Sequence, residues 1–335
     1  MKLSHLFSMR WRNMQLLLFP WLEDTIGELT EKHRKVISVL ELTHIDDFVP
    51  ARTRGFGRPL KERAAIACAF VAKAIYNMPT TRDLIDRLET DQQLRLICGF
   101  GKKSDIPSES TFSRAFAEFS ETQLPLRIHE ALVKDNLSEA IVGHISRDST
   151  EMEAREKSKR IAKVESDTID VNVKRGRPGK GEERTEEPTR LELQQKQGLE
   201  EMLADLPTDC DVGTKKNSKG FKETWIGYKL HMDVADGQIP ISLVLTSASL
   251  HDSQVALPLS EMSHRRVTSL YDLMDSAYDS VIIRENSKRL GHVPIIDINP
   301  RRNRKLKDEL IAESKRLEIL NLKRPEDVRY NERTA

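Results

Sequence analysis

Two aspartates, Asp148 and Asp275, each follow an apolar, strand-forming run and precede small polar residues. The carboxyl ends of strands are where α/β folds place their catalytic groups. Asp275 also has a simpler interpretation, because an Asp at a strand–helix junction commonly caps the helix. Two aspartates in the same setting nevertheless favour a metal site, since hard oxygen ligands on rigid elements can share Mg²⁺ ions.

The elements that must carry these aspartates predict a mixed α/β sheet. A hairpin turn is expected at residues 235–238, where Asp-Gly lies between two strand-forming runs. Three strands, then a helix, then alternating strands and helices are typical of such a sheet. The predicted elements are a strand at 141–147, a hairpin at 225–246, a helix from about 252, a strand at 270–275, a helix from about 280 and a strand at 293–298.

Residues 1–125 predict an all-helical N-terminal domain of the DNA-binding type. Short capped helices separated by Gly and Pro turns are typical of helix-turn-helix modules, although an ordinary helical bundle gives the same pattern. In the DNA-binding interpretation, the polar start of the helix that opens at about residue 108, with Arg114, faces a DNA groove. Arg58 belongs to a basic cluster before the alanine-rich helix at 64–75, and we expect it to contact DNA as well.

Residues from about 151 to 220 interrupt the pattern of the core. They are dense in charges of both signs and poor in apolar residues, so we expect a charged, partly disordered insertion. Arg175 and Arg177 belong to an Arg-Gly-Arg-Pro element that fits the narrow minor groove of A·T-rich DNA, although so short an element also arises by chance. One amphipathic helix, broken at Gly198, is predicted between 191 and 206.

Composition narrows the class of protein. The 335 residues suffice for two domains, and the net charge is only +1, so a DNA-binding surface must come from local clusters of basic residues. The 3 cysteines are far apart and match neither a disulfide framework nor a zinc spacing. No apolar stretch approaches the roughly 18 residues that a membrane span needs. A cytoplasmic protein without a membrane segment is therefore expected.

Six short motifs follow one another along the chain. They are Arg147-Asp148-Ser149-Thr150, Gly227-Tyr228-Lys229-Leu230-His231, Leu250-His251-Asp252-Ser253, Asp275-Ser276-Ala277-Tyr278-Asp279, Ile296-Asp297-Ile298-Asn299-Pro300-Arg301 and Tyr330-Asn331-Glu332-Arg333. In this order they resemble the motifs of DDE-type transposases of bacterial insertion sequences, over roughly residues 50–335. The resemblance implies an RNase H-like mixed-sheet core in residues 126–335, preceded by the helical domain.

The resemblance also implies a mechanism. Asp148 and Asp275 would hold two Mg²⁺ ions, with Mn²⁺ as an alternative, for phosphodiester cleavage and strand transfer by a homodimer on DNA. We expect Arg333 and one basic cluster to contact phosphates, although a solvated helix start explains that cluster equally well. The cluster consists of Arg301, Arg302, Arg304 and Lys305. A turn and helix cap is the favoured interpretation of His251 and Asp252, and a packed residue that of His231.

The closing motif of the family places a third metal-binding Glu four residues after its Arg. Tyr330 and Arg333 fit the first two places, and the Glu would fall at position 337, beyond Ala335. We therefore expect this chain alone to be inactive or nearly so, either as a truncated or frameshifted product of an insertion element or as the first part of a chain that another reading frame completes. The alternatives are a non-catalytic DNA-binding protein that inhibits intact transposase, and a metal-dependent nuclease on the same core.

Overall fold

The computed structural model describes residues 14–49, 62–158, 188–216, 221–300 and 303–319. The chain folds as two units, residues 1–140 and residues 141–335. Each unit has its own hydrophobic core, as a chain of this length allows. Residues 126–140, which the sequence analysis grouped with the core, belong to the first unit.

The first unit is helical throughout its described part. Its helices are α1 (Phe19–Ile26), α2 (Glu31–Thr43), α3 (Ile45–Phe48), α4 (Arg63–Ile75), α5 (Thr81–Thr90), α6 (Gln92–Ile97), α7 (Glu109–Glu121) and α8 (Leu124–Leu137). Three of them begin at side-chain caps, because the side chains of Thr30, Thr80 and Asp91 accept hydrogen bonds from backbone N–H groups of the first turn. The alanine face of α4 is buried against Leu84, Leu88 and Phe112, which lets these helices approach closely.

The second unit is built on a six-stranded mixed sheet. Its strands are β1 (Ile141–Glu153), β2 (Asp211–Lys216), β3 (Lys222–Ala235), β4 (Ile239–Ser247), β5 (Thr268–Met274) and β6 (Val293–Ile296). The order across the sheet is β2-β3-β1-β5-β6, and β4 pairs with β3 on the same side as β2. The first four strands pair antiparallel, whereas β1, β5 and β6 run parallel.

Helices cover one face of this sheet. They are α9 (Arg190–Gln194), α10 (Leu199–Ala204), α11 (Ala256–His264) and α12 (Val281–Arg289), and α13 (Arg304–Ile319) follows β6. Met202 of α10, Leu257 of α11 and Ile283 of α12 form one buried cluster with Met274 of β5. The buried ends of β5 and of the loop after it are therefore fixed by packing from three helices.

The structure confirms the mixed α/β core after a helical unit and corrects details of it. β1 does not end at Asp148 but continues to Glu153, because β3 pairs with it along this extension. Part of the predicted insertion is ordered, since residues 190–204 form two helices separated at Gly198 and β2 adds a strand that the sequence analysis missed. Within the described residues, no helix combines the length and the apolar content that crossing a membrane requires.

Candidate active site

The two aspartates singled out in the sequence stand level with each other on neighbouring strands. Arg147 of β1 pairs in register with Met274 of β5, and Asp148 and Asp275 come one residue later on each strand. Neighbouring strands lie about 4.8 Å apart, so the backbones of these two residues are adjacent. Asp275 retains extended backbone angles, φ −78° and ψ 177°, so the alternation of side chains carries past the strand end. Both carboxylates therefore leave the sheet on the same side, opposite to Arg147 and Met274.

Asp275 combines both roles considered for it. Its Oδ1 accepts a hydrogen bond of 2.9 Å from the backbone N–H of Ala277, which caps the short 3₁₀ turn Ser276–Tyr278. The side chain is half-buried, whereas Asp148 is exposed. The cap fixes the orientation of the Asp275 carboxylate at the end of β5, which suits a ligand that must be preorganised.

Tyr278, three residues after Asp275, packs in the core cluster that contains Met274. Its side chain is 1% exposed, and its hydroxyl has no hydrogen-bond partner among the described residues. Burial raises the pKa of Tyr278 well above the ordinary value, and the charges of Asp252, Asp148 and Asp275 raise it further. Three carboxylates therefore lie close enough to one phenol to act on it electrostatically, and the phenol stays protonated.

On β3, the half-buried Lys229 and the buried His231 hold Asp252. Lys229 Nζ donates to Asp252 Oδ1 at 3.0 Å and to the carbonyl oxygen of Leu250 at 2.8 Å. His231 is fully buried; its Nε2 lies 3.0 Å from Thr246 Oγ1, and its Nδ1 lies 3.8 Å from Asp252 Oδ1. Gly227 lets β3 lie close to β1, because a Cβ there would lie 2.1 Å from the carbonyl oxygen of Met152 on β1. Lys229 thus neutralises one of the three acids.

His231 predicts a pH-dependent stability. Burial lowers the pKa of His231 to about 4, with Lys229 adding to the shift and Asp252 and Asp148 opposing it. The His231 imidazole takes up a proton near pH 6.5 in the unfolded chain but only near pH 4 in the folded chain. The contribution of neutral His231 to the free energy of unfolding is therefore complete above pH 6.5 and is lost as the pH falls toward 4. We expect the free energy of unfolding, measured by urea titration in EDTA, to fall by a few kcal/mol over this interval. His231→Gln should flatten the dependence; an equally steep curve in this variant would contradict the assignment.

On the face of the sheet opposite to the aspartates, a buried ion pair joins β1 and β3. The Arg147 guanidinium donates from Nε to Asp233 Oδ1 at 2.8 Å and from Nη2 to Asp233 Oδ2 at 2.7 Å. The two side chains are 2% and 0% exposed. Burial alone would lower the pKa of Arg147, but the Asp233 carboxylate raises it above its ordinary value, so the group remains charged.

A second buried pair lies on the neighbouring strands. His292, just before β6, places Nδ1 3.1 Å from Asp272 Oδ1 of β5. Burial would raise the pKa of Asp272, but the hydrogen bond to His292 and the charge of Arg147 hold it below its usual value. The carboxylate of Asp272 is therefore ionised inside the core, three residues before Asp275.

The chain that leaves β6 passes the end of β5 before α13 begins at Arg304. The chain that leaves β6 is fixed to the end of β5, since the backbone N–H of Asp297 donates to Met274 O at 3.3 Å and Asn299 Nδ2 donates to Ser276 O at 3.1 Å. Arg304 and Lys305 then open α13 with exposed side chains. Cations at a helix N-terminus oppose the helix dipole, so these two do not stabilise the helix, whereas a phosphate there would be favoured.

The remaining sequence-predicted residues divide into two groups. Arg114 is exposed near the start of α7, where it donates to the carbonyl oxygen of Ser110 at 3.2 Å and to Thr111 Oγ1 at 3.3 Å. The others lie outside the described residues, namely Arg58, Arg175, Arg177, Arg301, Arg302 and Arg333, together with the closing motif that begins at Tyr330. Their roles stay predictions.

Sequence reasoning assigned no role to Arg147, Asp233 or Tyr278. The sequence did indicate that the first two are buried, because side chains two residues apart on a strand point to the same face. Arg147 follows the apolar Ile145 in this way and is therefore directed into the core. A charge in such a position requires a partner. His251, in contrast, caps the turn Asp252–Val255 through its side chain, as the structural interpretation expected.

The chemistry of the Asp148–Asp275 pair fits a magnesium ion. No group of three or more His, Cys, Asp or Glu side chains in the described part of the chain is arranged to hold a metal. Mg²⁺ nevertheless binds through one or two carboxylates, with water and substrate phosphates filling the other positions. Two adjacent carboxylates, one of them exposed, are therefore a suitable set of ligands for this ion when a phosphodiester is present.

Two protein-family models match the chain. A family model described as a transposase DDE domain matches residues 145–334, more than half of the chain and a range that contains both aspartates. A second model, a transposase domain (DUF772), matches residues 22–118 in the helical unit. No curated protein and no solved structure matches the chain significantly. The chain, with its helical unit and RNase H-like mixed sheet, belongs to the DDE-domain transposases of insertion sequences.

Proposed function

We propose that this transposase binds the ends of its insertion sequence and cleaves and transfers DNA strands with Mg²⁺ at Asp148 and Asp275. The observation that supports the proposal is the register of β1 and β5, in which Arg147 and Met274, the residues before the two aspartates, are paired. The bound ions would polarise the phosphodiester and activate water or a 3′-hydroxyl as the nucleophile. Asp148 and Asp275 would hold the ions, and the cap from Ala277 fixes the direction of one of these carboxylates.

Arg304 and Lys305 are proposed to bind the DNA backbone beside this pair. Their support is their exposed position in the first turn of α13, since exposed cations commonly contact the phosphates of DNA. Arg114 on α7 is proposed as a second contact, in the helical unit. By family likeness, the active form is proposed to be a homodimer on DNA.

The double variant Arg304→Ala/Lys305→Ala tests the phosphate contacts. Each phosphate contact contributes close to one unit to the slope of log K against log salt, so the variant should lower the slope by about two and weaken binding at all sequences alike. The measurement is fluorescence anisotropy with element-end DNA between about 50 and 200 mM salt, the range over which the affinity of proteins for DNA falls steeply. Lys134→Ala, which removes an exposed cation paired with Glu130, is the control. An unchanged slope in the double variant would contradict the contact.

The products formed from DNA distinguish the proposed function from its alternatives. Incubation of Mg²⁺, element-end DNA and a target plasmid with a form of the protein that carries a Glu four residues after Arg333 should yield joined strands, whereas the 335-residue chain should yield few or none. Cleavage without joined products would indicate a nuclease. Binding without cleavage, unchanged by Asp148→Asn, would indicate a non-catalytic DNA-binding protein.

A further inference from the structure

Arg147 is placed to control the alignment of both aspartates. It is the residue before Asp148, and its Nη1 donates to Sδ of Met274, the residue before Asp275, at 3.3 Å. Its other two contacts go to Asp233 on β3, directly opposite Arg147 in the register of β1 and β3. One buried side chain therefore starts from the residue before Asp148 and contacts both the residue before Asp275 and the strand on the far side of β1.

The partner carboxylate is fixed from a further element. Ser263 of α11 donates to Asp233 Oδ2 at 2.7 Å. Each oxygen of Asp233 thus accepts from a defined donor, and the planar guanidinium meets the carboxylate as a two-pronged fork. Such a fork determines the orientation of both side chains as well as their distance.

Stability alone is a poor explanation for this pair. Replacing a buried ion pair by apolar residues of similar volume is often neutral or stabilising, because the charges lose their hydration on burial. A shift in strand register by one residue, however, would turn Asp148 to the opposite face and leave Arg147 and Asp233 unpaired. The pair therefore penalises a slip of β1 along β3, and the contact of the same guanidinium with Met274 Sδ links this register to β5.

We propose that Arg147 and Asp233 are positioning residues that hold Asp148 and Asp275 in alignment for metal binding. The proposal deepens the proposed function and rests on it for the role of the metal. Loss of a group that orients metal ligands typically lowers metal affinity by about 10- to 100-fold. Alignment itself can be measured without any metal.

The double variant Arg147→Met/Asp233→Leu separates alignment from stability. It removes both charges together, so we expect it to unfold within a few degrees of the wild type. Alignment is measured as the rate of disulfide formation in a chain that also carries Asp148→Cys and Asp275→Cys. Positions 148 and 275 lie on neighbouring strands, where the Cα separation falls within the roughly 4.4–6.8 Å that a disulfide usually requires. Peptide mass mapping distinguishes this bond from any that involves Cys68, Cys98 or Cys210.

We expect rapid cross-linking with the Arg147–Asp233 pair intact and cross-linking at least about tenfold slower without it. With the aspartates in place, the double variant should bind Mn²⁺ about 10- to 100-fold more weakly. An unchanged cross-linking rate would overturn the proposal. If the double variant does not fold, Arg147→Lys, which keeps the charge but not the fork, must show slower cross-linking, and wild-type rates in it would overturn the proposal equally.

The two proposals fail separately. If the wild type binds Mn²⁺ no better than Asp148→Asn, the metal role of the aspartates is wrong. The cross-linking rates still decide whether Arg147 and Asp233 align them.

Discussion

Replacing Asp275 by Asn should leave the protein as stable as the wild type and lower DNA strand cleavage by about 10²- to 10³-fold. Asn is as good a helix cap as Asp, so its side chain can still accept from the backbone N–H of Ala277. It cannot supply the negative oxygen that a metal ion requires. A metal ion contributes several kcal/mol of transition-state stabilisation, and each 1.36 kcal/mol corresponds to about a factor of ten in rate.

Asp275→Ala is the matched comparison for this prediction. It should lose cleavage to the same degree and also lose about 1 kcal/mol of stability, because the cap disappears with the carboxylate. Cleavage of element-end DNA in Mg²⁺, by a form of the protein that carries a Glu four residues after Arg333, and urea unfolding give the two readouts. Full cleavage in the Asn variant together with a deficient Ala variant would show that Asp275 is a cap alone.

Removing one member of the Arg147–Asp233 pair should cause the largest loss of stability among the charged residues discussed. Arg147→Met leaves the Asp233 carboxylate buried without its cation, and such changes cost about 3–5 kcal/mol. For a unit of this size, each kcal/mol lowers Tm by roughly 2–4 °C, so a fall of about 6–20 °C is expected.

Glu151→Gln provides the control for that measurement. Glu151 lies on the same strand and pairs with Lys215 at 2.7 Å, but the two side chains are 38% and 47% exposed. Exposed pairs contribute about 0–1 kcal/mol, so thermal unfolding of this variant should match the wild type within a few degrees. An Arg147→Met protein that melts with the control would show that Asp233 does not depend on its partner.

The sequence contained enough to predict the sheet and the aspartates, because both depend on local patterns. Apolar runs that end on Asp148 and Asp275 are visible in the chain, and so is the Asp-Gly turn before β4. The register of β1 against β5, which brings the two aspartates level, could not be derived from the sequence. It depends on pairing between residues far apart in the chain, such as Arg147 and Met274, which are 127 residues apart.

The partners in the buried ion pairs could not be predicted from the sequence. Arg147 and Asp233 are charged residues in strands, and nothing in their local sequence states which charge meets which. Only the antiparallel register of β1 and β3 places them opposite each other. The end of β1 was misjudged for a related reason, since a carboxylate followed by hydroxyl residues looks like a strand end, whereas the long β3 extends the pairing to Glu153.

Titration with Mn²⁺, followed by its electron paramagnetic resonance signal, tests the joint role of Asp148 and Asp275 most directly. The wild type, Asp148→Asn, Asp275→Asn and the double variant form a cycle, with Glu151→Gln as a carboxylate control on the same strand. If the two aspartates share a metal, each single change should weaken binding at least about tenfold and the double change should add little, because one site has been lost already. Wild-type affinity in either single variant would contradict the shared metal site, and so would losses that add as those of independent sites do.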